Sequence, residues 1–179
     1  NAINAANAGA DATSKIVFTG NITIIGASVL PNPNKPIEID TQGFFLRSIQ
    51  SGAGVGHANG RMLTLTGTYW GQAVVGSGTT GFNQTGTSAA SMIGNNGSII
   101  GGNSPGRGGG GTGVSLAGLA SFINNGSITG GTAINAGTGG VGAYVRNGSP
   151  MINYGTIQGG TNSGTGGGGA GIDLGGAGA

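Results

Sequence analysis

The sequence predicts an all-β chain of the solenoid class, in which short parallel strands stack coil upon coil. Three observations predict it. Two elements recur with one shared period, their apolar residues alternate, and glycine is too abundant for helices. The first element runs Asn96-Gly97-Ser98-Ile99-Ile100-Gly101-Gly102. It recurs as Asn125-Gly126-Ser127-Ile128-Thr129-Gly130-Gly131 and again as Tyr154-Gly155-Thr156-Ile157-Gln158-Gly159-Gly160, 29 residues later each time. The second is Gly113-Val114-Ser115-Leu116, then Gly142-Ala143-Tyr144-Val145, then Gly171-Ile172-Asp173-Leu174, at the same interval. A strand of three or four residues cannot stand alone. Stacked on its equivalent in the next repeat, it buries apolar side chains and completes its backbone hydrogen bonds.

Each repeat reads as strand, tight turn, strand and a longer Gly-rich loop. Alternation sends one side chain inward and the next outward. Ile93, Ile99, Val114 and Leu116 are therefore expected to face the core. Their expected matches are Ile123, Ile128, Ala143 and Val145, then Ile152, Ile157, Ile172 and Leu174. Asn-Gly and Gly-Gly steps supply the turns, because glycine adopts positive φ without steric cost and Asn tolerates it. Segments 103–113 and 132–142 are the loops. A helical solenoid is disfavoured, since each glycine costs a helix about 1 kcal/mol.

The first half repeats less but also reads as strands. Lys15–Ile25 holds two short strands around Gly20-Asn21, and the Pro/Asn stretch at 29–36 cannot be a central strand. Ile37-Glu38-Ile39-Asp40 alternates, turns at Gln42-Gly43 and continues through Phe44–Ile49. Arg61–Trp70 is a further alternating run. Three regions follow. Residues 1–30 form an N-terminal cap or first coil, 31–90 irregular coils, and 91–179 three 29-residue repeats with the last one open-ended. At about 20–30 residues per coil the chain holds about six to eight coils.

Composition narrows the function. The chain has 45 glycines and 5 prolines in 179 residues, which invites a disordered reading. Its apolar share of 36%, charged share of 6% and net charge of +2 argue for a packed chain instead. The six basic residues, Lys15, Lys35, Arg47, Arg61, Arg107 and Arg146, form no local cluster, so no nucleic-acid partner is expected. No apolar run reaches the length of a transmembrane helix, so no membrane insertion by this segment is expected. Residues 1–10 lack the basic and apolar regions of a signal peptide.

The residues Gly113, Val114, Leu116, Ile123, Asn125, Gly126, Ile128, Gly130 and Gly131, repeated one period later from Gly142 to Gly160, resemble the repeat of autotransporter passenger regions. Ile16–Ile25 and Ile37–Phe44 resemble the early coils of such passengers. The resemblance implies a right-handed parallel β-helix displayed outside a Gram-negative bacterium, often for adhesion or self-association. Partners would be other copies of the chain, or glycans or proteins of a host or cell surface. The outer-membrane barrel that exports such passengers is not in this sequence, and the repeat stops at Leu174–Ala179 where another Ile-x-Asn-x-Gly segment would be expected.

Residues that could carry chemistry are few. Glu38 and Asp40 share one strand face, and paired carboxylates can cleave glycosidic bonds. Alternation already accounts for them as the outward partners of Ile37 and Ile39. His57 is the only histidine, with no Gly-x-Ser-x-Gly elbow. One His and no Cys do not supply the ligands of a classical zinc site. Arg107–Gly111 lacks the Lys-Ser/Thr and the helix of a phosphate loop. A calcium-binding solenoid needs an Asp in each repeat, and only Asp173 qualifies. No catalytic residue, cofactor or metal is expected. The Asn-x-Ser/Thr triplets are explained by composition, and Asn-Gly already has a turn role. Contact candidates are Tyr144, which alternation points outward, with Tyr69 and Trp70. Ser98, Thr129 and Gln158 are the candidate outward ladder. The leading expectation is a non-enzymatic extracellular solenoid for adhesion, self-association or spacing. A head-to-tail filament subunit and a polysaccharide-degrading enzyme are the alternatives.

Overall fold

A computed structural model describes residues 2–24, 29–31, 33–48, 55–57, 62–71, 78–84 and 92–175. The chain is a parallel β-solenoid. It opens with a short helix, α1 (Ala2–Ala8). The first coil carries β1 (Ser14–Val17), β2 (Ile22–Ile24) and β3 (Val29–Leu30). The second carries the long β4 (Ile37–Ser48) and β5 (Val55–His57), and the third β6 (Met62–Gly71) and β7 (Phe82–Gln84). The repeats follow as β8 (Met92–Asn95), β9 (Ser98–Ile100) and β10 (Val114–Leu116), then β11 (Ser121–Asn124), β12 (Ser127–Thr129) and β13 (Ala143–Val145). The last coil has β14 (Met151–Asn153), β15 (Thr156–Gln158) and β16 (Ile172–Leu174).

All the recorded strand pairs are parallel and join successive coils. Three ladders result. β1, β4, β6, β8, β11 and β14 make one. β2, β4, β6, β9, β12 and β15 make the second. β3, β5, β7, β10, β13 and β16 make the third. The long strands β4 and β6 belong to both of the first two ladders, so these form one bent sheet of ten strands. Four coils are stacked on both sides, and the first and last each have one neighbour. This lies at the short end of the six to eight coils that the period implies.

The bend falls on glycine. Gly67 has φ +96°, and a Cβ there would lie 1.9 Å from Thr41 Oγ1. Thr41 is fully buried and accepts a hydrogen bond from the Thr68 N–H at 2.9 Å. Only glycine lets the chain turn this close to its neighbour.

The core is a set of stacked rows. Leu46, Tyr69, Ile99, Ile128 and Ile157 form one. Phe82, Val114, Ala143 and Ile172 form another. Ile99 and Ile128 are fully covered, and burial of such a side chain contributes about 1.5–3 kcal/mol. On the first ladder the row is Ile37, Leu63, Ile93, Phe122 and Met151. The expected match of Ile93 with Ile123 and Ile152 is therefore off by one residue. Ile123 and Ile152 align with Gly94 on the outer face, and Ile152 is 48% exposed. A slip of one residue moves a side chain to the opposite face.

The expected Gly-rich loops at 103–113 and 132–142 join β9 to β10 and β12 to β13, and they stack on one another from coil to coil. Segments 101–104, 130–133 and 159–162 run outward, and 109–113, 138–142 and 167–171 run back. Gly111 N–H donates to Gly102 O, Gly131 to Gly111 and Gly140 to Gly131. Gly160 then donates to Gly140, and Gly169 to Gly160, all at 2.7–2.8 Å. Outgoing and returning legs thus alternate in one chain of hydrogen bonds with no side chain between them. The glycines are a backbone-packed slab. Bridges Ser104 to Ala133 to Asn162 extend the stacking along the outgoing legs.

α1 was not foreseen. Its Ala-rich sequence favours helix, and Gly9 closes it by donating to Ala5 O and Ala6 O at 3.2 Å. Ile3 is 3% exposed and packs into the same core as Phe18, with Ala6, Ile16 and Ile24 alongside. The helix thereby lies over the interior of the first coil. Lys35 Nζ holds the following turn through Gly9 O and Asp11 O, at 2.7 and 2.9 Å.

Candidate functional site

The surface that can meet a partner is built from the outward positions of each ladder. On the second ladder two outward rows run side by side. Thr68, Ser98, Ser127 and Thr156 form one, and Ser127 Oγ lies 3.1 Å from Ser98 Oγ. Ile100, Thr129 and Gln158 align in the other, beside position 70. The expected ladder of Ser98, Thr129 and Gln158 is thus corrected. Ser98 lies in the first row and the other two in the second, because 98 and 129 are 31 residues apart and the period is 29.

On the third ladder the outward row is Asn83, Ser115, Tyr144 and Asp173. Tyr144 is half-buried, as alternation between the buried Ala143 and Val145 requires. Its ring is not a free platform. The Arg146 guanidinium sits 4.1 Å from the ring centroid, close enough for cation–π attraction. A Cβ on Gly175 would come within 2.4 Å of the ring, so the backbone there lies against it. An aromatic ring, a cation and an anion therefore share this outer face on the last two coils.

Tyr69 is not a contact residue. It is fully buried, and its hydroxyl donates to Ile39 O at 2.7 Å. Burial pushes its pKa well up. The reason was present in the alternation, because Tyr69 shares parity with Leu63 and Leu65. The side chains of Trp70 and His57 lie outside the described residues. Tyr154, by contrast, is 76% exposed at the last coil.

Glu38 and Asp40 meet a lysine from the preceding coil. Lys15 Nζ lies 2.9 Å from Asp40 Oδ2 and 3.4 Å from Glu38 Oε1. Thr66 Oγ1 donates to Glu38 Oε1 at 3.0 Å, and Asp40 also accepts from the Gln42 N–H and side chain at 2.9 and 3.0 Å. The Lys15 hydrogen bond, and then those from Gln42, hold the Asp40 pKa at about 2, below its ordinary 3.8. A depressed carboxylate pKa contributes stability that is whole above the ordinary value and is lost as pH falls through the folded one. The unfolding midpoint is expected to fall between about pH 4 and pH 2, and Asp40→Asn to flatten that part of the profile. An unchanged profile in Asp40→Asn would show that the pair is not linked to folding.

One polar row, buried at Asn95 and Asn124 and exposed at Asn153, escaped the sequence reading. Asn95, Asn124 and Asn153 stack on Leu65. Asn95 Nδ2 donates to Asn124 Oδ1 at 2.7 Å and to Ser127 O at 3.2 Å. Asn124 Nδ2 repeats the pattern with Asn153 Oδ1 at 2.7 Å and Thr156 O at 3.3 Å. Asn95 and Asn124 are fully buried. The signal was a third element at the 29-residue period, an Asn one position before Asn96-Gly97, Asn125-Gly126 and Tyr154-Gly155.

No family model, curated protein or solved structure matches this chain.

The described residues contain no cluster of three His, Asp or Glu side chains that could hold a metal ion. No helix among them is long and apolar enough to cross a membrane. What the arrangement offers a partner is repetition, since outward rows present short polar side chains at the coil spacing of about 4.8 Å.

Proposed function

We propose that this chain is a non-enzymatic segment of a bacterial surface solenoid, acting in adhesion, self-association or spacing outside the cell. The observation that carries the reading is the in-register outer surface. Thr68, Ser98, Ser127 and Thr156 repeat one chemistry on successive coils. Identical weak contacts in a row add their effects once the first is made. The likeness of Gly113–Gly131 to passenger repeats supports placement at the surface of a Gram-negative cell. Partners would be other copies of the chain, or glycans or proteins of a facing surface.

Display on a bacterium that does not normally aggregate tests this. Cells carrying the chain are expected to settle faster, or to be retained on immobilised glycans or host cells. The absence of both effects at high display would overturn the adhesive reading.

The filament alternative needs two open ends. The last coil leaves Ile172 and Leu174 50% and 64% exposed, although they lie in the inward rows. At the other end α1 lies over the first coil with Ile3 buried. Head-to-tail stacking would have to displace that helix. Negative-stain electron microscopy over a concentration series is expected to show short single particles. Filaments that lengthen with concentration would put this reading first.

A further inference from the structure

The chain contains one tripeptide, Asn-Gly-Ser, at three described places. These are Asn96–Ser98, Asn125–Ser127 and Asn147–Ser149. An Asn followed by Gly can modify itself. The backbone nitrogen of the glycine attacks the Asn side-chain carbonyl carbon, forming a new C–N bond. The Cγ–Nδ2 bond breaks, and ammonia leaves with the proton that the attacking nitrogen loses. Water then opens the cyclic imide at either carbonyl, giving aspartate or isoaspartate. No oxidant or enzyme is required. Because the three tripeptides are identical, their local chemistry is matched and only the fold can separate them.

The fold separates them sharply. At the first site the Gly97 N–H donates to Asn95 Oδ1 at 3.1 Å. At the second the Gly126 N–H donates to Asn95 O at 3.0 Å. In both, the attacking nitrogen already has a fixed acceptor in the stack. The Asn side chains are tied as well, since Asn125 Nδ2 donates to Asn96 Oδ1 at 2.9 Å. A Cβ on Gly97 or Gly126 would meet the preceding corner's backbone at 2.1 or 2.0 Å, so neither backbone has room to swing toward its side chain.

The third site differs at the glycine nitrogen and at the Asn side chain. Asn147 and Gly148 lie between β13 and β14 with φ of +54° and +67°. The Ser149 N–H donates to Arg146 O at 3.0 Å, closing a tight turn of the kind with two left-handed central residues. Ser149 is buried, and its hydroxyl lies against Gly118 O and Arg146 O, so the base of the turn is held. The tip is not. Asn147 and Gly148 are both exposed. Among the described residues the Gly148 N–H has no acceptor. The Asn147 side chain makes one long contact, Nδ2 to Ala117 O at 3.4 Å.

We infer that Asn147–Gly148 is a self-modification site of this protein, converting to aspartate and isoaspartate while the two matched sites in the stack stay protected. The product places a negative charge beside Arg146. Its isoaspartyl form also adds one methylene to the main chain at the crossing from the fifth coil to the sixth.

The test is peptide mapping by mass spectrometry of the folded chain, sampled through a long incubation in mildly alkaline buffer. Conversion at Asn147 is expected to run at least several-fold faster than at Asn96 and Asn125. The same incubation in denaturant is expected to bring the three rates together. Equal rates in the folded chain, or faster loss at Asn96 or Asn125, would overturn the inference. Rates that stay apart in denaturant would also overturn it, because the fold would then not be the cause.

Discussion

Gly131→Ala is expected to destroy the repeat region, while Gly167→Ala leaves it intact. A Cβ on Gly131 would sit 1.9 Å from Gly102 O, 2.6 Å from its carbonyl carbon and 2.8 Å from Gly111 N. All three are backbone atoms, so no side chain can rotate away. Gly131 is also a link in the slab, donating to Gly111 O and accepting from the Gly140 N–H. Relief would require separating two legs and breaking bonds on both sides. Overpacking of this kind costs about 1–3 kcal/mol where neighbours can yield, and here they cannot, so a loss of at least about 3 kcal/mol is expected. A Cβ on Gly167 meets nothing within 4 Å. Replacing a glycine whose conformation alanine can share gains about 0.4–1 kcal/mol by restricting the unfolded chain. Denaturant midpoints for the two variants check this. A Gly131→Ala protein as stable as the parent would mean that the legs do not pack backbone to backbone.

Asn124→Ala is expected to be the most damaging change to a polar residue, and its neighbour Asn125→Ala among the mildest. Asn124 accepts from Asn95 and donates to Asn153 and to Thr156 O. Its removal takes one acceptor from the fully buried Asn95 amide, while Asn153 Oδ1, on an exposed residue, exchanges its lost donor for water. Each buried polar group left unpaired costs about 1–3 kcal/mol. For a chain of this size each 1 kcal/mol lowers the melting temperature by about 2–4 °C. Asn124→Leu should do no better, although Leu65 occupies the same row two coils earlier, because it takes the same acceptor from Asn95. Asn125 is exposed and loses only its bond to Asn96 Oδ1. Its cost should stay within about 0.5 kcal/mol. Equal effects at 124 and 125 would show that the buried row adds nothing.

These two variants also bear on function. The slab and the Asn row hold one register along the repeats, and register brings Ser98, Ser127 and Thr156 into one line. On the adhesive reading proposed above, a surface that works by repetition depends on it. Destabilised variants should therefore lose cell settling along with folding, whereas Tyr144→Ala should test the outer face without touching the core.

The period and the strands were legible because stacking demands chemical likeness at a fixed interval. Val114 and Leu116 faced inward, with Ala143 and Val145 below them, as alternation requires. Where two readings of the interval compete, local pattern fails. Ile93 had Ile123 at 30 residues and Phe122 at 29, and the chemically closer residue was the wrong one. The line of Ser98, Thr129 and Gln158 failed for the same reason. Tyr69 was misplaced by weighing its residue type above its parity with Leu65.

By itself, then, the sequence determined a stacked parallel solenoid, its 29-residue coil and the side to which most alternating residues point. Those properties follow from periodicities that a single chain carries. Only the tertiary structure decided what the glycines pack against, which asparagines are buried and that α1 seats on the first coil. Glycine and Asn-Gly read locally as turns. A missing Cβ becomes a packing device only when another backbone lies against it, and that backbone belongs to a coil a full period away.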